Sequence, residues 1–127
     1  MGINPLLYSQ LEHLLDRVAV WLWGHEHNTV VFNPHARLPA GRCIGSGAVP
    51  VLVSSKPYKA DRTLKGVGDI PVPTMDPNYR LSHDRVTYSH GFAMLQLSSA
   101  SATVTYYQVP PGGTATMLGA PETFPAS

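Results

Sequence analysis

Two histidines one residue apart, His25 and His27, stand where an apolar run gives way to a loop. Val18-Ala19-Val20-Trp21-Leu22-Trp23 leads directly into Gly24-His25-Glu26-His27-Asn28. In an extended loop, side chains at i and i+2 project to the same side, so both imidazoles can meet one ligand while Glu26 faces away. Neutral imidazole is a common ligand for zinc, iron and related metals. Two metals held roughly 3.5–4 Å apart are what phosphoester-cleaving dinuclear sites require. The spacing is not that of the helical zinc motif His-Glu-x-x-His, because position 29 is Thr. Taken alone, the pair is weak evidence, since such pairs are more often surface or core histidines that bind no metal.

No other residue set competes with it. Cys43 is the sole cysteine, which excludes an internal disulfide and a cysteine-rich zinc site. It has no neighbouring Lys or His to activate it and reads as buried packing. His35, His83 and His90 are dispersed along the chain and read as surface or hydrogen-bonding residues, with His90 preceding a strand. Trp21 and Trp23 read as core. Lys56, Lys59, Arg62 and Lys65 read as the solvated face of a loop, and the serines at 54–55 and 98–101 lack a His/Asp arrangement that would activate them.

The elements that must position the pair follow from periodicity. Residues 4–16 predict a helix: Asn4 caps, Pro5 takes the first helical position, and Leu7, Leu11, Leu14 and Leu15 recur at helical spacing. The six apolar residues 18–23 predict a strand buried on both faces, ended by Gly24. Short strands are expected at 29–33, 42–44 and 49–54, and Gly45-Ser46-Gly47 permits a tight turn or close backbone approach. Residues 55–83, with Pro57, Pro71, Pro73 and Pro77, predict a long irregular loop containing a short strand near 64–67. Residues 91–97 and 102–109 alternate as a hairpin across Ser98-Ser99-Ala100-Ser101, residues 114–118 follow as a weaker strand, and 119–127 reads as a fraying tail. The whole is an α/β chain, mostly β after residue 28, in one domain spanning 1–127.

This order carries a resemblance. An apolar strand ending in Gly24-His25-Glu26-His27 and followed by short strands resembles the last signature motif of the calcineurin-like metallophosphoesterases. The helix beginning Asn4-Pro5-Leu6-Leu7 resembles that family's last helix, and Arg42-Cys43-Ile44-Gly45-Ser46-Gly47 resembles a stretch that follows the motif in a bacterial subgroup. His90-Gly91-Phe92-Ala93-Met94-Leu95 with residues 102–107 is similar to its closing hairpin. The likeness covers 17–53 and 90–109 and hardly touches 55–83 or 110–127. It implies the C-terminal portion of a two-sheet sandwich flanked by helices. It also implies that His25 binds one divalent metal and His27 a second, with manganese, iron or zinc all possible. The implied reaction is hydrolysis of a phosphomonoester or phosphodiester substrate by metal-activated water.

The family's earlier motifs (Asp-x-His, Gly-Asp, Gly-Asn-His-Asp/Glu and a lone His) do not occur; before Gly24 the only histidine is His13. The expectation is therefore a C-terminal segment, inactive by itself, whose site and apolar strand are completed by a missing N-terminal part. The alternative is a small, mostly β binding or interaction module with no dinuclear site. Composition bears on both. The 127 residues carry a net charge of +1 and only 13% charged side chains, which gives no electrostatic footprint for nucleic acid. The longest apolar run is too short to span a bilayer and the start lacks a signal-peptide profile, so the expected compartment is the cytoplasm.

Overall fold

A computed structural model describes residues 5–59 and 73–125. Its apolar runs sort into two small sheets with one helix, an α/β architecture dominated by strands. Helix α1, Pro5–Leu11, passes into a 3-10 segment, Glu12–Arg17, where a single helix over 4–16 was expected. Within these turns Leu15 is buried, whereas Leu6, Leu7 and Leu14 are exposed. An apolar stripe that finds little to pack against does not sustain a long α-helix, and its last turns tighten. This helix is too short to cross a membrane, and no other described helix is long and apolar enough.

The first sheet contains β1 (Trp21–Trp23), β2 (Thr29–Val31) and β3 (Gly41–Ile44) in the order β1-β3-β2. Strand β1 runs parallel to β3, with Trp23 opposite Cys43; β2 runs antiparallel, with Val30 opposite the same cysteine. The expected strand over 18–23 is thus only three residues long and half-buried, at an edge. Its ladder starts where Trp21 N–H donates to Ala40 O at 2.8 Å. Just upstream of Ala40 stands Pro39, which has no N–H to lengthen it. The strand expected at 49–54 reduces to one bridge, Leu52 to Thr87, and a 3-10 turn at Val53–Ser55. Leu52 is exposed there, so its apolar run has no core to enter.

The second sheet is built on the predicted hairpin. Strand β4, His90–Leu97, pairs with β5, Ser101–Val109, from His90 opposite Val109 to Leu97 opposite Ala102. The Ser98 hydroxyl accepts from the Ala100 and Ser101 N–H groups and closes the turn. Strand β6, Thr116–Met117, pairs with Tyr107 and Gln108. The tail expected to fray carries β7, Glu122–Pro125, paired with Ser101–Val104. Of the expected long loop, 55–59 and 73–83 are irregular apart from two 3-10 turns, and the strand expected at 64–67 lies outside the described residues.

The core lies where the two sheets meet. Val30, Val31, Phe32 and Cys43 pack with Val104, Tyr106 and Leu118, joined by Tyr58, Tyr79 and Leu81 from the connecting segments. One buried ion pair crosses this junction. Arg42 of β3, 4% exposed, donates from Nε and Nη2 to both carboxylate oxygens of Glu122 in β7, at 2.7 and 2.6 Å. Its Nη1 donates to the Phe32 and Gly41 carbonyls, and Tyr106 O–H donates to Glu122 at 2.7 Å.

Candidate metal-binding loop

Because β1 and β3 are parallel and in register, residues 24–28 and 45–47 leave the first sheet at the same end. That carboxyl end is where loop backbones of parallel strands diverge and ligands gather. The sequence-predicted pair sits there, with His25 and His27 both exposed, Glu26 half-buried and Asn28 buried. The segment is a bend, and His25 has φ 74°, the left-handed region. A non-glycine residue in that conformation costs about 1–2 kcal/mol. Alternation along an extended chain therefore does not describe how the two imidazoles are disposed; their exposure and their place at the strand end do.

The backbone beneath them is held from β3. Asn28 N–H donates to Glu26 O at 2.6 Å, and Asn28 O accepts from Gly45 N–H at 3.0 Å. The Cys43 thiol lies under the same two carbonyls, 3.4 Å from Asn28 O and 3.6 Å from Glu26 O. Gly45 passes so close that a Cβ on it would lie 2.1 Å from Glu26 O. The expected close approach in Gly45-Ser46-Gly47 is thus made, and its object is the histidine loop.

Two further contacts reach this end of the sheet. His90 Nδ1 lies 3.3 Å from Ser46 O, and the Ser46 hydroxyl is hydrogen-bonded to that of buried Thr29. The sequence order alone gave His90 and Ser46 no partner, since each is remote from the other in the chain. His83 is elsewhere, with Nδ1 2.6 Å from Asp84 O and its ring edge-on to Tyr88. Burial pushes the Cys43 thiol above its ordinary pKa, so it is protonated and unreactive at neutral pH. Among the described residues, no three His, Cys, Asp or Glu side chains are grouped as a metal site. The residues brought together here supply two exposed imidazoles on a fixed backbone. No family model, curated protein or solved structure matches the chain.

Proposed function

We propose that the chain is the C-terminal segment of a calcineurin-like metallophosphoesterase, with His25 and His27 each giving one ligand to a divalent metal. The observation that carries this reading is the exposed His25-Glu26-His27 loop at the carboxyl end of a parallel strand pair. Two imidazoles suit zinc, iron or manganese but cannot hold a metal pair alone, so the remaining ligands come from outside the described residues. The metals would supply Lewis acidity and an activated water for hydrolysing a phosphomonoester or phosphodiester. This chain's own part is to hold the two imidazoles on a backbone clamped by Gly45 and Cys43. The proposed compartment is the cytoplasm, consistent with a lone, buried thiol.

The isolated chain is expected to bind zinc weakly and saturably, seen as shifts of the His25 and His27 ring resonances. Its turnover of para-nitrophenyl phosphate should be no more than a trace. His25→Ala and His27→Ala should each weaken the zinc response without unfolding the chain, since both side chains are exposed, and the double variant should remove it. Robust metal-dependent turnover that His25→Ala abolishes would overturn the segment reading. Absence of any zinc response would overturn the ligand assignment and favour a metal-free binding module. One observation already speaks for that second reading: β7 and the buried Arg42–Glu122 pair give these strands a core of their own.

A further inference from the structure

A second site lies beside β1, between the helix and the turn that precedes β3. Leu7, Tyr8, Leu15, Trp21, Trp23 and Leu38 line a groove of about 220 Å³, open to solvent on one side. His35 also lines it beside the Tyr8 phenol, and His35 Nε2 is the one polar side-chain atom among the described residues that is buried without a hydrogen-bond partner. Buried polar atoms are normally paired, and an orphan asks what completes it. Burial lowers the His35 pKa from its ordinary value, so the ring is neutral at pH 7 and can pair with an uncharged group.

The wall that carries His35 is strained. His35 and Leu38 exchange backbone hydrogen bonds at 3.0 and 2.9 Å across a two-residue turn, Ala36-Arg37. Both turn residues have positive φ, 46° and 66°, in a position that normally demands Asn-Gly. Neither is glycine, and strained turns of this kind persist where surrounding structure holds them, often as ligand clamps. Arg37 Nε also donates to Asp16 Oδ1 at 3.0 Å, a solvent-exposed contact between the turn and the 3-10 segment that carries Leu15. Thus an aromatic floor, an orphan nitrogen and a strained turn meet in one place.

The geometry points to a binding site here for a small, uncharged aromatic molecule with one hydroxyl, of the phenol class. Its ring lies against Trp21 and Trp23, and its hydroxyl pairs with His35 Nε2. Because Nε2 is shielded from solvent, pairing requires the ring to turn about χ2, a broad torsion, until that nitrogen faces the groove. An apolar cavity of roughly 150 Å³ already accommodates benzene, so this one suits a single substituted ring. The site is separate from the His25-Glu26-His27 loop and does not depend on the metal reading.

Trp21 and Trp23 are the chain's only tryptophans, so their fluorescence reports the groove directly. Phenol is expected to change it saturably. Toluene, alike in size but without the hydroxyl, should bind about tenfold more weakly, the worth of one hydrogen bond to an otherwise unpaired group. His35→Phe should erase the difference between the two. Should that variant fail to fold, the His35 ring ¹⁵N resonances of the unaltered chain decide: they should move on adding phenol and stay still on adding toluene. A non-saturating response, equal affinity for both probes, or a phenol preference that survives in His35→Phe would overturn the site.

Discussion

Tyr58 fastens three segments with one hydroxyl. It donates to Thr29 O at 2.9 Å and accepts from Leu81 N–H at 3.2 Å, while Arg80 lies over its ring. Burial pushes its phenol pKa up to about 12, and Tyr106 is raised too, by burial first and then by its bond to Glu122. An unfolded tyrosine releases its proton near 10. Between those values the unfolded chain has lost protons that the folded chain keeps, so alkali favours unfolding. Stability should hold below about pH 10 and fall as pH rises through about 12, as read from urea midpoints along a pH series. Tyr58→Phe should blunt that alkaline fall. At neutral pH it should cost about 1–3 kcal/mol, because it strands Leu81 N–H and Thr29 O in the interior.

At the scale of elements, the histidine loop depends on a neighbour without a side chain. Gly45→Ala puts a methyl group against Glu26 O, and only a backbone shift can relieve it. Such overpacking costs about 1–3 kcal/mol, measurable in urea, and the shift should displace the ring resonances of His25 and His27. Ala48, exposed one turn later, changed to Ser should do neither. This contact was half-legible in the sequence: Gly45-Ser46-Gly47 announces a close approach but not what approaches. The β4–β5 hairpin was fully legible, because alternation and a serine-rich turn are local signals. Strand β7 was not, since Glu122-Thr123-Phe124-Pro125 is short and becomes a strand only through its pairing with Ser101–Val104. The six-residue strand at 18–23 was over-read, because apolar content does not reveal that β3 offers too short a partner. Of the site, the position of His25 and His27 at a strand end could be read in advance. The left-handed bend at His25 could not, as nothing in its residue type demands one.

Across the whole molecule, the joint between the two sheets is polar at its centre. Arg42 places four of its hydrogen bonds inside, two on Glu122 and two on backbone carbonyls, and Tyr106 completes the carboxylate. Removing one partner of such a pair strands a buried charge. Glu122→Ala should therefore destabilise the chain by about 3–5 kcal/mol, read from the shift of the urea midpoint at constant slope. A second ion pair among the described residues, Asp16 with Arg37, is half exposed on both sides, and Asp16→Asn should leave the midpoint almost where it was.

The position of Glu122 in the chain has a further consequence, for the order of events during synthesis. Arg42 precedes its counter-ion by 80 residues. A growing polypeptide therefore carries a guanidinium destined for the interior long before the carboxylate that neutralises it exists. Until residue 122 has left the ribosome, burying Arg42 would take a bare cation out of water, and water keeps it. The first sheet must wait, part-formed and hydrated, while the hairpin is made. Closure of the two halves on each other is then a late step, and until it happens the apolar faces of both stay open to association.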